Sequence, residues 1–304
     1  MERLVREYSH VVVLTYSHEL RYDVTLWRVL GVEVLHDPVP DFRSPPLLSL
    51  VHIIEWILGR VNEGGRVYVH CVGGLGRSAT VAAAYLIRRY GKSWLDAVTQ
   101  IRKLRKGSLE SIEQVAVLKA YETMLRYLNP SLVVKNLECS DRLIQDHLSK
   151  VFQIGVNASE SLSSLTGISQ RILVEGLIHE LAGRVERGSA GCVLRGPPLP
   201  GRTDHVIADD VANRLIKLIG GLAVASDKLM DQCVEDLEIK VRGDVLKALL
   251  HCSGGCRSSC AAVSREVSSV LTEVCSLLKC VSKVVIEGHH GVRMKSSNIP
   301  QESS

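Results

Sequence analysis

The sequence predicts two domains: an N-terminal α/β domain with a mostly parallel central sheet flanked by helices, and a C-terminal all-α helical bundle. Short β-branched runs alternate with helix-length segments over residues 1–130, which is the pattern of parallel strand-helix units. From residue 131 onward, apolar residues recur at steps of three and four, as in packed helices. The pair Asn129-Pro130 lies between the two patterns, and a residue that precedes proline disfavours helix. We therefore predict domains at 1–130 and 131–304.

The elements of the first domain follow from its apolar runs and turn residues. Strands are predicted at Val11–Thr15, Val32–Leu35 and Arg66–His70. Helices are predicted at Glu19–Leu30, Pro46–Asn62, Ser78–Tyr90, Ser93–Leu104 and Glu110–Leu128. Ser93 is a candidate N-cap, because its hydroxyl can accept a hydrogen bond from the first turn of the helix that follows.

The second domain is predicted to consist of two helical pairs. They span about Leu132–Glu186 and Ile207–Val285, with a Gly- and Pro-rich loop near 188–206 between them and a polar tail after about residue 287. One apolar stripe is regular enough to predict a buried helix seam: Leu249, Cys252, Cys256, Cys260, Val263, Val267, Val270, Val274, Leu277 and Val281. We expect this domain to mediate self-association or partner binding.

Cys252, Cys256 and Cys260 could also form a metal site or a disulfide, with Cys275 and Cys280 later in the chain. Metal-binding knuckles use shorter gaps and a tight turn, whereas these cysteines continue an apolar stripe. We therefore favour core packing over disulfide pairing, and disulfide pairing over a metal. The neighbouring pair His289-His290 lies in the polar tail and is expected to be solvated, so no metal site is predicted.

The most informative part of the sequence is the run from His70 to Ser78, which reads HCVGGLGRS. A predicted strand precedes it and a predicted helix follows it, so backbone N–H groups and a helix N-terminus can point at one bound anion. Cys71 can attack phosphorus as a thiolate, and the planar guanidinium of Arg77 can hold two phosphate oxygens. This spacing predicts a cysteine-dependent phosphatase.

The other residues of the run receive supporting roles. The glycines permit positive φ values and close approach of the backbone to phosphate. Ser78 is placed to donate a hydrogen bond to the Cys71 sulfur and so to assist its departure from the phosphoenzyme. His70 is expected to orient the loop by hydrogen bonding. The predicted substrate-binding cradle consists of Val72, Gly73, Gly74, Leu75, Gly76 and Arg77.

A second run, His251 to Arg257, reads HCSGGCR and superficially repeats this pattern. Its spacing from cysteine to arginine is one residue short, and no β-rich run is predicted before it. It is therefore given no phosphatase role.

The run HCVGGLGRS resembles the His-Cys-x5-Arg-Ser signature of the protein tyrosine phosphatase superfamily. Val39-Pro40-Asp41-Phe42, thirty residues before Cys71, is similar to the general-acid loop of its compact dual-specificity members. Lys106–Gln114 is similar to a segment that borders the active site in small archaeal and related enzymes of this type. The resemblance covers about residues 10–128 and leaves the C-terminal half unrecognised. It implies the cysteine-phosphatase fold, a phosphocysteine intermediate and no cofactor.

Two choices among the candidate residues follow from the resemblance. Asp41 matches the general-acid motif and lies on a proline-rich loop, so it is preferred to Asp37, which ends a predicted strand and could instead brace the loop. Gln114 and Glu113 are both candidates for positioning the water that hydrolyses the phosphocysteine, and both could equally be ordinary residues of the first turn of a helix.

Composition limits the remaining classes. A net charge of +4 over 304 residues gives little support for nucleic-acid binding. No signal peptide opens the chain and no run of eighteen uninterrupted apolar residues occurs, so we expect a cytoplasmic protein without membrane contact.

The predicted function is that of a protein phosphatase of dual specificity. Its substrate is expected to be a phosphorylated protein or peptide, with phosphotyrosine leading and phosphoserine and phosphothreonine also admitted. Three alternatives remain open: a phosphate-binding adapter, a scaffold with little turnover, and a phosphatase for phosphoinositides or RNA ends. The last is disfavoured because residues 72–76 contain no basic side chain.

Overall fold

The computed structural model separates the chain into two compact units, Met1–Arg126 and Tyr127–Ser304. It describes residues 2–188, 191–194, 212, 216, 234–242, 245–252, 257–278 and 281–288. Among these residues no helix has the length and apolar character needed to cross a membrane.

The first unit is an α/β structure. Its elements, in chain order, are α1 (Glu2–Glu7), β1 (His10–Val13), a 3-10 turn (Ser17–Glu19), α2 (Thr25–Val29), β2 (Glu33–His36), α3 (Leu47–Asn62), β3 (Val67–His70), α4 (Arg77–Tyr90), α5 (Trp94–Leu104) and α6 (Ile112–Tyr127). The predicted parallel sheet is confirmed, and the predicted helix over residues 19–30 is shorter than expected. The Asp23 side chain accepts hydrogen bonds from the backbone N–H and the hydroxyl of Thr25. Because this local pairing competes with helical hydrogen bonding before Thr25, α2 begins only at that residue.

The sheet places its strand ends at one edge. The strand order is β2-β1-β3, and both pairs are parallel. Val13 near the end of β1 pairs with His36 and with His70, so the carboxyl ends of all three strands lie side by side. Ligand sites of open parallel sheets form at this edge, and the loop that begins at Cys71 leaves from it.

The core of the first unit covers the middle strand. Val11, Val12 and Val13 are completely buried, as expected for a strand of a parallel sheet with both faces covered. On one side, Val11 and Val13 pack with Trp27 and Val32. Helix α5 begins after Ser93, whose hydroxyl accepts a hydrogen bond from the Asp96 N–H and so confirms the predicted N-cap.

The second unit is not an all-α bundle, and that part of the predicted fold class is wrong. Its described elements are α7 (Pro130–Leu137), α8 (Arg142–Thr166), α9 (Gln170–Arg184), β4 (Val185–Gly188), β5 (Gly191–Leu194), β6 (Val234–Arg242), β7 (Val245–Cys252), α10 (Arg257–Leu278) and β8 (Val281–Gly288). β4 and β5 form an antiparallel hairpin, and β7 pairs with antiparallel β6 and parallel β8.

The predicted helix seam crosses three of these elements. Its first members, Leu249 and Cys252, lie in β7, and its last, Val281, begins β8, so only the middle of the stripe is helical. A short apolar run fits a buried strand and a buried helix equally well by periodicity, and the burial of β7 alternates over part of its length. Most of the predicted loop near 188–206, Cys256, Cys280 and the tail from residue 289 lie outside the described residues.

Four cysteines of the second unit are disulfide-bonded and are not packed thiols. A disulfide joins Cys252 at the end of β7 to Cys260 in the first turn of α10, and Cys139 and Cys275 are also disulfide-bonded. The statement that no strand precedes the run His251–Arg257 is also wrong, since β7 does. Cys252 nevertheless has no free thiol, so this run still lacks a nucleophile. No cluster of His, Cys, Asp or Glu able to hold a metal occurs within the described ranges.

Candidate active site

The loop between β3 and α4 gathers hydrogen-bond donors around the Cys71 sulfur. The backbone N–H of Gly74 donates to Sγ at 3.2 Å, and the Ser78 hydroxyl lies 3.2 Å from the same atom. Among the described cysteines, Cys71 has the free thiol. The backbone N–H and the hydroxyl therefore both lie within hydrogen-bond distance of the atom that is predicted to attack phosphorus.

Two of the three loop glycines are required by the geometry. Gly74 adopts φ +69°, a left-handed conformation that side chains disfavour. A Cβ on Gly76 would lie 2.5 Å from Nε2 of Gln114, so no larger residue fits there without moving that amide. Gly73 has neither a positive φ nor a close neighbour, so the predicted need for glycine does not extend to it.

Arg77 is buried, with 2% of its surface exposed, and is held by two carboxylates. It donates to Oε1 and Oε2 of Glu19 at 2.8 and 3.0 Å, and to Oδ1 of Asp41 at 2.9 Å. Nη1 also donates to the Val39 carbonyl at 2.9 Å. Nη1 donates as well to the Leu14 carbonyl at 3.5 Å, so all four N–H groups of the two Nη atoms have acceptors.

The charges in this cluster reinforce one another. Burial alone would lower the pKa of Arg77, but the hydrogen bonds and negative charge of Glu19, with the charge of Asp41, raise it overall. The hydrogen bonds from Arg77 in turn lower the pKa of Glu19 below its ordinary value. Both partners are therefore ionised at neutral pH.

The two candidate acids occupy different environments. The Asp41 side chain is 62% exposed and reaches Arg77, so the loop predicted to carry the general acid lies at the pocket. Asp37 is buried, and its backbone N–H bonds to Val13 at the end of β1. A buried aspartate next to a strand end fits a bracing role better than proton delivery to a substrate.

A chain of hydrogen bonds fixes His70. Nε1–H of Trp27 donates to the Tyr22 hydroxyl at 3.1 Å, and that hydroxyl lies 2.6 Å from Nε2 of His70. Nδ1 of His70 lies 3.2 Å from the carbonyl of Cys71. The arrangement is satisfied when neutral His70 carries its proton on Nδ1, and burial lowers the pKa of His70 in the same sense. His70 therefore contacts the loop where the prediction expected it.

The segment after α5 forms hydrogen bonds to several residues of the phosphate loop. Arg105 donates to the carbonyl of Gly73 at 2.9 Å, and the backbone N–H of Leu109 donates to the carbonyl of Leu75 at 2.8 Å. Gln114 is completely buried against Gly76, and its amide donates to the carbonyls of Phe42 and Arg43 at 3.3 Å. Gln114 thus touches both the phosphate loop and the loop of Asp41.

Glu113 points to a different partner. Its carboxylate forms an ion pair with Arg43 at 3.0 Å, and 14% of its side chain is exposed. Of the two candidates for positioning water, the structure brings Gln114 to the loop and ties Glu113 to Arg43.

Sequence reasoning missed Glu19, Tyr22 and Arg105. Glu19 was expected to begin a helix, and instead it ends a 3-10 turn. Its carboxylate accepts a hydrogen bond from the backbone N–H of Tyr16 at 2.8 Å. No local motif marks these residues. The one available signal was that Glu19 and Tyr22 follow β1 at the carboxyl edge of a predicted parallel sheet.

Residues 13–124 match the family described as dual specificity phosphatase, catalytic domain. This part of the chain belongs to the dual-specificity phosphatase family. The rat protein named phosphatidylglycerophosphatase and protein-tyrosine phosphatase 1 is 32% identical to it over 115 residues, which are 36% of this chain and 60% of the relative. The pig protein named cyclin-dependent kinase inhibitor 3 is 31% identical over 102 residues, 33% of this chain and 48% of the relative.

Solved structures are also similar to part of the chain. Tk-PTP in its active form is 45% identical, and the match covers 40% of this chain and 82% of that chain with a TM-score of 0.39. PTPMT1 in complex with PI(5)P is 31% identical and covers 41% and 84% with a TM-score of 0.38. The chain spans 48 to 60% of the length of the two relatives named above.

Proposed function

We propose that this chain hydrolyses phosphate monoesters through a phosphocysteine intermediate. The observation that carries the proposal is the convergence on Cys71 Sγ of the Gly74 N–H and the Ser78 hydroxyl, where the loop after Cys71 ends and Arg77 begins α4. A thiolate held by donors, next to a guanidinium and a helix N-terminus, is suited to attack an anion that the same groups bind.

In the first step the sulfur of Cys71 forms a bond to phosphorus as the bond to the leaving oxygen breaks. Because every Nη hydrogen of Arg77 already has an acceptor, a phosphate oxygen that binds an Nη group has to displace one of them, whereas the Nε–H is the fifth donor of the guanidinium. Asp41 is the partner that can leave most readily, since most of its side chain is in solvent. Released from the guanidinium, the Asp41 carboxyl acts in its protonated form and gives its proton to the leaving oxygen.

In the second step water attacks phosphorus and the sulfur departs as a thiolate. Asp41, now a carboxylate, accepts a proton from this water, and Gln114 is placed beside the loop to orient it. The Ser78 hydroxyl donates to the departing sulfur. Glu19 keeps Arg77 in place throughout, because its two hydrogen bonds to the guanidinium do not depend on Asp41.

The favoured substrates are phosphotyrosine and, less strongly, phosphoserine and phosphothreonine in proteins. The names of the relatives support a protein-tyrosine phosphatase activity, and one of them also includes a lipid phosphatase. A binding adapter without turnover is disfavoured because Asp41, from a second loop, contacts the arginine that follows the nucleophile's loop.

Chemical quenching tests the two-step mechanism. Wild-type protein mixed with a radiolabelled phosphotyrosine peptide should yield labelled Cys71 after acid denaturation, and Ser78→Ala should accumulate more of it because the departing thiolate loses a donor. The control variant Ser111→Ala changes a hydroxyl near Gln114 that does not contact the sulfur. Turnover without any labelled cysteine in either protein contradicts a phosphocysteine.

A further inference from the structure

Three exposed apolar side chains, one in the phosphate loop and two next to residues that contact the site, have no side-chain role in the chemistry proposed above. Phe42 and Val72 are each 64% exposed, and Leu104 is 76% exposed. Phe42 follows Asp41, Val72 follows Cys71, and Leu104 precedes the arginine that bonds to Gly73. Each therefore adjoins a residue of the site.

Three exposed cations flank one of these apolar side chains, Leu104, in the sequence. Lys103, Arg105 and Lys106 lie at the end of α5 and in the segment that borders the loop. Arg105 bonds to a backbone carbonyl, and within the described part of the chain none of the three forms an ion pair with a carboxylate. The nearby Glu113 is occupied by Arg43. We call the six residues Phe42, Val72, Lys103, Leu104, Arg105 and Lys106 the pocket rim.

The backbone of Phe42 adds a second, independent observation. It adopts φ +61°, which is unfavourable for an aromatic residue, and its carbonyl is held by the Gln114 amide at 3.3 Å. The site thus holds this ring in a strained conformation in which it faces solvent. Backbone strain of this kind is concentrated at functional sites. An exposed aromatic ring beside the active site is consistent with a surface that a binding partner covers.

We propose that the pocket rim docks on the surface of an anionic lipid membrane, so that phosphate monoesters carried by lipid headgroups reach Cys71. Apolar side chains enter the boundary between headgroups and acyl chains, and unpaired Lys and Arg side chains contact anionic headgroups. A soluble acidic peptide would engage the cations but would leave Leu104 and Val72 in water. The catalytic consequence rests on the proposed phosphatase function, whereas the docking itself does not.

This inference reverses the expectation of no membrane contact, and it requires no membrane-spanning helix. The basic residues that were sought inside residues 72–76 are supplied instead by the neighbouring segment after α5. Arg105 links this segment to the phosphate loop, because its guanidinium donates a hydrogen bond to the carbonyl of Gly73.

Vesicle sedimentation of the full chain tests the docking. Phosphatidylcholine vesicles with and without phosphatidylserine are compared for wild type and for the double variant Lys103→Gln, Lys106→Gln. Each cation near an anionic surface strengthens binding about fivefold, so the double variant should bind the anionic vesicles roughly 25-fold more weakly. Leu104→Ser should also weaken binding, through the lost apolar area.

The matched control is the double variant Arg6→Gln, Arg89→Gln. Arg6 precedes β1, and Arg89 lies in the last turn of α4, which runs roughly 20 Å away from the loop. Both arginines are exposed, so the net charge changes equally at the opposite end of the unit. Equal weakening in both double variants would overturn the proposal, as would equal binding to neutral vesicles, or binding to soluble polyglutamate or RNA without binding to vesicles.

Hydrolysis of p-nitrophenyl phosphate separates this inference from the proposed function. The Lys103, Lys106 double variant should keep the wild-type rate on this soluble substrate while losing vesicle binding. A chain that hydrolyses the soluble ester but ignores anionic vesicles contradicts the docking alone. A chain that binds anionic vesicles through the rim but hydrolyses no ester supports the docking and contradicts the phosphatase.

Discussion

Arg77 donates two hydrogen bonds to Glu19, from Nη2 to Oε1 at 2.8 Å and from Nη1 to Oε2 at 3.0 Å. The two residues are 58 positions apart in the sequence, and the guanidinium they involve is almost completely buried. A planar bidentate pair of this kind fixes direction as well as charge. We infer that Glu19 positions the arginine that binds phosphate.

The first prediction concerns this positioning role. Glu19→Gln should lower kcat/KM for p-nitrophenyl phosphate by about 10- to 100-fold, since a misplaced catalytic group commonly costs on the order of a hundredfold. Inhibition by inorganic phosphate should weaken in parallel, because ground-state anion binding uses the same guanidinium. The control is Glu55→Gln, which removes a comparable but more exposed partner from Arg88. If the folded Glu19→Gln variant is inhibited by inorganic phosphate as strongly as wild type, Glu19 does not position Arg77.

A second prediction concerns the hydrogen bond between Tyr22 and His70. Tyr22→Phe leaves Nε2 of His70 without its partner, at a cost of about 1–3 kcal/mol for a buried polar group. Thermal unfolding should occur at a lower temperature, and kcat/KM should fall, because His70 also contacts the Cys71 carbonyl. Tyr90→Phe is the control, as that side chain is largely exposed. The role of Tyr22 is refuted if both variants unfold and turn over like wild type.

The same histidine sets a direction for pH dependence. Burial lowers the pKa of His70 in the folded state below the ordinary value of 6.5, so the unfolded chain binds a proton more readily. The stability that neutral His70 contributes is therefore fully present above about pH 6.5 and is lost as pH falls toward the folded pKa. Denaturant titrations across this range should show a smaller acid loss for His70→Asn than for wild type. An equal or larger loss in the variant would assign the acid sensitivity to other groups.

Asp41 and Asp37 are distinguished by the dependence on leaving group. Removing a general acid slows esters with poor leaving groups far more than activated ones, since only the former need a proton in the transition state. Asp41→Asn should show this bias, by roughly a hundredfold or more on phenyl phosphate, and Asp37→Asn should slow all esters alike or lose stability. The reverse pattern in a series of substituted aryl phosphates would move the acid to Asp37.

Separability of the two units remains a prediction. Every residue with a proposed role precedes Leu128, and the compact first unit ends at Arg126. A chain that ends after Leu128 should keep activity on p-nitrophenyl phosphate within a few-fold of the full chain. Circular dichroism supplies the control for folding. A folded but inactive truncated chain would show that residues beyond 128 complete the site.

Residues that are neighbours in the sequence were the predictable part of the site. Cys71, Gly74, Arg77 and Ser78 occupy one loop, so spacing alone places them around one anion. Gln114 was also within reach, because Lys106–Gln114 resembles a known bordering segment. Glu19 and Tyr22 were not, since they meet Arg77 and His70 only through the register of β1 against β3 and the turn that follows β1.

The second unit shows the limit of periodicity. Val245–Cys252 contains the apolar residues Val245, Leu246, Ala248, Leu249 and Leu250, and such a run suits a buried strand and a buried helix alike. The segment is a strand because it pairs with β6 and β8. The pattern of apolar residues in one sequence does not show which segments will pair. The disulfide between Cys252 and Cys260 also depends on the end of this strand lying close to the first turn of α10.

The nucleophile is the central claim, and one substitution tests it most directly. In Cys71→Ser the loop keeps the Gly74 N–H, Arg77 and Ser78, but the serine hydroxyl is not ionised at neutral pH and cannot replace the thiolate. We predict that hydrolysis of p-nitrophenyl phosphate by this variant falls below about a thousandth of the wild-type rate, while inorganic phosphate still binds, as measured by calorimetry. A variant that binds phosphate and retains more than a few per cent of the wild-type rate would contradict covalent catalysis by Cys71.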